Sequence, residues 1–283
     1  MWNKNIETFI GCEASFEEAQ TVIFGAPFDS TTSYRPGTRF ASRTMRAESY
    51  GLETYSPYQD RDMEELQVFD GGDLELPFGN TRRTLNQIRD TSLVILEAGK
   101  LPCMIGGEHL VTLGCMEAVY SKYSDLRIIH FDAHTDLRED YLEEKLSHAT
   151  VIRRVWDMVG DGKIHQFGIR SGEREEFYWA RSHTNLHKFN FEGLEEAIIE
   201  CQGHPVYFTI DLDVLDPSVF PGTGTPEAGG VTFLQLLDAI KKVSKLDIVA
   251  MDINELSPGY DTSGASTAVA CKILRELLLA VCK

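Results

Sequence analysis

Three short stretches carry residues that could do chemistry together. In "RIIHFDAHTDLRED" (127–140) Asp132, His134 and Asp136 are spaced two apart, directly after an apolar run. In "PVYFTIDLD" (205–213) Asp211 and Asp213 repeat the spacing, and "GGEH" (106–109) adds His109. Side chains alternate along an extended chain, so residues two apart point to one side. Aspartate is depleted in strands, and an uncompensated buried carboxylate costs several kcal/mol. No Lys or Arg lies between Asp132 and Asp136 or between Asp211 and Asp213, which leaves metal cations as the simplest counter-charge. Two imidazoles and four carboxylates suit two divalent ions bridged at about 3.5–4 Å. Mostly oxygen donors, two imidazoles and no thiolate fit Mn²⁺, with Fe²⁺, Co²⁺ and Zn²⁺ as competitors, because affinity alone does not select the metal.

A single aspartate at a strand end is ordinarily a helix cap or turn former. Two such motifs after buried strands are not explained that way. His130 shares the parity of Asp132 but lies deeper in its strand, and reads as a core histidine or one that orients a ligand from behind.

The elements that must position these residues follow from the hydrophobic pattern. Short apolar runs recur at 21–27, 66–73, 101–109, 126–134, 163–172, 185–189, 205–213 and 247–258. Helix-like segments separate most of them, at 81–99, 110–123, 149–159, 192–200, 232–244 and 267–282. Strands apolar on both faces alternating with helices predict a parallel sheet covered on each side. Nearly every strand ends in polar residues, including Asp29, "GGD" and "GIRSG". Open α/β sheets bind ligands at the carboxyl ends of their strands, so these motifs are expected to converge on one crevice. No repeat or linker is visible, and a single domain over 1–283 is expected.

The 283 residues carry 27 Lys and Arg against 44 Asp and Glu, a net charge of −17. Such a surface repels phosphate backbones and anionic membranes and attracts small cations. No apolar run approaches the ~20 residues of a membrane span. The N-terminus "MWNKNIETFIGCEASFEEAQ" has early acids and no apolar core, so no signal peptide is read and the cytoplasm is the default compartment. Six scattered cysteines without a C-x-x-C suit reduced, buried thiols. "GTGTPEAGG" (222–230) contains Pro226 and follows an acidic loop, so it lacks the strand, turn and helix context of a dinucleotide site.

In order and spacing, "GGEH", "FDAHTD" (131–136), "TIDLDVLDP" (209–217) and "DINELSP" (252–258) resemble the signatures of the ureohydrolases, the arginase and agmatinase family. "GAPFD" (25–29), "RPGTRFA" (35–41) and "FGIRSG" (167–172) extend the resemblance over almost the whole chain. It implies a three-layer α/β/α fold with an eight-stranded, mainly parallel sheet, two Mn²⁺ per subunit, and hydrolysis of a guanidinium group to urea and an amine. By position, His109, Asp132, Asp136 and Asp211 would hold one ion, and Asp132, His134, Asp211 and Asp213 the other, with Asp132 and Asp211 bridging. The resemblance also implies that Asp136 passes a proton from the nucleophilic hydroxide to the leaving amine. Glu255 would pair with the guanidinium, a geometry that a carboxylate suits. His148 would shuttle protons at the mouth of the site, a task for which an imidazole with its ordinary pKa is well placed. Trimers or hexamers are the expected homo-oligomers.

The family's arginases place an asparagine two residues after the last metal-binding aspartate; here that position is Arg138. The following "YLEEKLSHAT" (141–150) looks like bacterial agmatinases. Agmatine is dicationic, and a loop with Glu139, Asp140, Glu143 and Glu144 should attract it. Its hydrolysis to putrescine and urea, a step in polyamine biosynthesis, is therefore expected. Guanidinobutyrase or arginase activity, and a metal-binding scaffold without catalysis, are the alternatives.

Overall fold

The computed structural model describes residues 7–77 and 79–282. Part of the N-terminal stretch read for a leader, residues 1–6, lies outside them. Eight strands form one sheet: β1 (Thr21–Gly25), β2 (Val68–Asp73), β3 (Leu101–Ile105), β4 (Arg127–Phe131), β5 (Ile164–Ile169), β6 (Asn185–Lys188), β7 (Pro205–Asp211) and β8 (Asp247–Asn254). Their order is β2-β1-β3-β8-β7-β4-β5-β6, and every pairing between them is parallel. Interior strands such as β5 are buried at every residue, as parallel strands covered on both faces must be.

Among the described residues seven α-helices connect the strands and an eighth follows the last: α1 (Ala41–Ser49), α2 (Thr81–Glu97), α3 (Val111–Lys122), α4 (Val151–Val159), α5 (Arg174–His183), α6 (Leu194–Cys201), α7 (Phe233–Val243) and, after β8, α8 (Ala265–Val281). Residues of α2, α3, α4 and α5 share one core with one face of the sheet, and α1, α6, α7 and α8 share the other. The division follows from handedness. Connections that step one way along the sheet run over one face and those that step back run over the other, because parallel crossovers are right-handed. The result is three layers.

Register then sets up the site. Across β8, β7, β4 and β5, Asp252 pairs with Thr209, Thr209 with His130, and His130 with Gln166. This buried polar row lies on the face covered by α3 and α4. Two residues further along the same side, Asp132 and Asp211 emerge at the carboxyl ends of β4 and β7. "GGEH" needs its glycines for close approach: a Cβ on Gly107 would lie 2.0 Å from the Phe28 carbonyl oxygen, and one on Gly106 1.8 Å from Asn254 Oδ1. All six cysteines are buried and unpaired. Among the described residues no helix is long and apolar enough to cross a membrane.

Candidate active site

Strands β3, β8, β7 and β4 bring the polar groups together. His109 follows β3 and is buried, with Nδ1 3.0 Å from Asp132 Oδ2 and 3.3 Å from both Asp136 Oδ2 and Asp211 Oδ2. On the other side His134 Nδ1 stands 3.0 Å from Asp213 Oδ2 and 3.5 Å from Asp132 Oδ1. Asp132 thus turns one oxygen to each imidazole, as a bridging carboxylate would. Asp211 turns Oδ2 to His109, while its Oδ1 accepts the Asp213 N–H at 2.8 Å. The geometry therefore mirrors the bridging expected of Asp132 more closely than that expected of Asp211.

The donor chemistry fits cations. Among the described residues no Lys or Arg pairs with these four aspartates. Burial raises Asp211, and the charges of Asp213 and Asp132 raise it further. Burial and Asp132 push Asp136 up to about 7. Burial opposes ionisation of Asp132 too, yet His109, His130 and His134 hold it well below the ordinary carboxylate range. These groups crowd one another in a way that two divalent ions would relieve. Asp136 also keeps φ at 51°, a left-handed backbone uncommon for residues other than glycine and found at functional sites.

His130 is a supporting group. Gln166 Nε2 donates to the Thr135 carbonyl at 2.8 Å, and its Oε1 accepts from the Thr184 hydroxyl. The same Nε2 therefore donates to His130 Nδ1 at 3.1 Å, leaving His130 Nε2–H to donate to Asp132 Oδ2 at 2.8 Å. Both ring nitrogens are engaged, so His130 orients Asp132 rather than offering a lone pair.

Glu255 follows β8 with φ at 68°. It is buried and its Oε1 accepts the His109 N–H at 2.8 Å. Burial, then Asp213 and Glu108, raise it well above the usual range, an environment that favours a cationic partner.

His148 lines a cavity of about 280 Å³ together with His134, Asp136, Arg138, Tyr141 and Glu173. The expectation of an ordinary imidazole pKa is not met. Burial, aided by the charge of His134, pushes His148 down to about 4, so it is neutral, and its Nε2 accepts the Ser33 N–H at 3.2 Å. Ser33 belongs to a loop held by Glu108, which takes the Thr31 N–H at 2.9 Å and the Thr32 hydroxyl at 3.1 Å.

Not every strand-end motif enters the crevice. Asp70 and Asp73 bind Arg46 of α1, and Asp29 binds Arg39. Arg170 donates to the carbonyls of Asp213, Val214 and Leu215 and so braces the loop that carries Asp213. The acidic loop also differs from expectation: Glu139, Asp140, Glu143 and Glu144 are exposed and do not line the cavity. Glu173, at the start of α5, and Glu176 join Asp136 as the carboxylates there, and Glu173 pairs with Arg138 at 3.1 Å. Sequence reading missed Glu173, Ser33 and Tyr141. A Glu before a helix looks like a cap, and Glu173 is one as well.

The arginase family model matches residues 19–280. The chain belongs to the arginase family. Among arginase-family relatives, an agmatinase of Bacillus anthracis is 50% identical over 277 residues, covering 96% of each chain. The agmatinase of Bacillus subtilis is 48% identical over 282 residues, covering 98% of this chain and 97% of its own. The solved agmatine ureohydrolase of Thermoplasma volcanium superposes with a TM-score of 0.89 at 31% identity, covering 98% of this chain and 95% of that one. The three-layer arginase fold and a ureohydrolase acting on a guanidino C–N bond are thereby established for this chain.

Proposed function

We propose that the chain hydrolyses agmatine to putrescine and urea as a two-metal ureohydrolase, with manganese as the leading metal. The observation that carries the reading is Asp132, whose two oxygens face two separate imidazole–carboxylate groups beneath a small cavity. His109, Asp132, Asp136 and Asp211 would hold one ion, and Asp132, His134 and Asp213, with Asp211, the other. When bound, two divalent ions lower the pKa of water and so supply a nucleophile at neutral pH. Glu255 orients the planar guanidinium. Asp136 carries the proton released on attack towards the leaving amine. His148, neutral and anchored by Ser33, relays protons to solvent. Residues 1–283 act as one catalytic domain, a reading supported by the single eight-stranded sheet, and work in the cytoplasm within a homo-oligomer.

Substrate choice rests on the far end of the cavity. Arg138 would favour a carboxylate tail and hence guanidinobutyrate, but Glu173 and, at 3.7 Å, Glu176 already offset its charge. An ammonium tail meets Glu173 instead, and the relatives at about half identity are named agmatinases. Competition kinetics with agmatine, 4-guanidinobutyrate and L-arginine test the choice. Agmatine is expected to lead arginine by ~100-fold or more in kcat/KM, because an unpaired α-carboxylate costs ~3 kcal/mol on desolvation. Equal values for arginine, or a preference for guanidinobutyrate, would overturn it.

A further inference from the structure

Asp252 is fully buried in the central strand β8, two residues before Asn254, and takes no part in the chemistry above. Its Oδ1 accepts from the Thr209 hydroxyl at 2.5 Å and from Asn254 Nδ2 at 2.7 Å. Its Oδ2 accepts from the Tyr207 hydroxyl at 2.5 Å and the Thr112 hydroxyl at 2.9 Å. Four neutral donors surround one carboxylate.

One of those donors reaches further. A threonine hydroxyl has a single proton, and Thr209 gives it to Asp252, so its oxygen is left as an acceptor. That oxygen lies 2.9 Å from His109 Nε2. His109 must then carry its proton on Nε2 and turn the Nδ1 lone pair towards Asp132, Asp136 and Asp211. A lone pair facing three carboxylates calls for positive charge between them, supplied by a second proton on Nδ1 or by a metal ion that replaces it. Partners behind a ligating imidazole fix its tautomer and ring orientation and set metal affinity.

We propose that Asp252 is a positioning residue that acts through the Thr209 hydroxyl to fix His109 as a ligand for one of the two divalent ions. The strand register that pairs Asp252 with Thr209 builds the relay into the sheet. The inference rests on the reading of His109 as a metal ligand. Tyr207 bonds the same carboxylate without touching His109, so it reports what loss of a hydrogen bond to Asp252 does to the fold alone.

The test is Mn²⁺ binding by equilibrium dialysis and elemental analysis on chelator-stripped full-length protein. Wild type is expected to bind two ions per chain. Thr209→Val should weaken one of the two by roughly 10–100-fold and leave the other, Thr209→Ser should restore both, and Tyr207→Phe should bind as wild type. Equal loss in Thr209→Val and Tyr207→Phe, or two ions held at wild-type affinity in Thr209→Val, would overturn the relay. Wild-type protein that binds no divalent ion would instead remove the metal site beneath it. A second measurement needs no variant: in ¹⁵N-histidine-labelled, Zn²⁺-loaded wild-type protein, His109 should show a protonated Nε2 and an unprotonated Nδ1. The opposite tautomer overturns the proposal even if Thr209→Val fails to fold.

Discussion

Replacing Glu255 by Gln removes one charge and keeps the shape of the side chain. The amide oxygen of the variant can still accept the His109 N–H, which Glu255 holds at 2.8 Å, so the backbone of the proposed metal ligand stays anchored. What disappears is the charge-assisted pairing with a guanidinium. Hydrogen bonds to charged groups contribute about 1.5–3 kcal/mol each, and a neutral amide retains part of a two-bond arrangement. A net loss of about 3 kcal/mol corresponds to roughly 100-fold in kcat/KM. Stability should move the other way or not at all, because burial and the charges of Asp213 and Glu108 already disfavour the ionised carboxylate. Urea release from agmatine, measured beside elemental analysis of the same samples, separates the effects: two ions retained and kcat/KM down by about two decades. An activity within threefold of wild type, or a loss that tracks loss of metal, would refute the assignment of Glu255 to the guanidinium.

Asp132→Ala should abolish turnover and impair both ions, whereas His109→Ala should mainly loosen one; equal retention of two ions in both variants would show that Asp132 does not bridge. Glu173→Gln should raise the KM for agmatine by about fivefold with little change in kcat, as suits a half-exposed charge pair of about 1 kcal/mol, and an unchanged KM would remove Glu173 from the tail site. Burial holds His165 at about 4, below its unfolded value near 6.5. The folded state then binds fewer protons than the unfolded chain, so this contribution is full above about pH 6.5 and is lost as pH falls towards 4, by at most about 3 kcal/mol. His165→Leu should flatten the fall in urea midpoint over that window; an equally steep fall would contradict the burial argument.

Seven of the eight strands were legible because each holds an apolar run bounded by polar residues, while β6, "NLHK", gave a weaker signal. The metal candidates were legible from the two-residue spacing of Asp132, His134 and Asp136, although they sit in the loop after β4, where Asp136 takes φ 51°, and are not arranged by strand alternation. Helices α1 and α5 were not read: "ASRTMRAES" and "REEFYWARSH" carry few apolar residues at helical spacing. The low pKa of His148 was out of reach as well, since it follows from burial and from the charge of His134, which only the fold brings about. Asp252 was passed over although Glu255 of the same motif was singled out. Its importance appears when register sets it beside Thr209, which lies 43 residues earlier.

The central claim is a two-ion ureohydrolase, and it is tested most directly by titrating chelator-stripped protein with Mn²⁺ while following urea release from agmatine and bound metal in the same samples. The account predicts no turnover without metal and activity that rises to its plateau as the bound ratio approaches two ions per chain. Full activity in metal-free protein, or a plateau reached with a single ion bound, would contradict it.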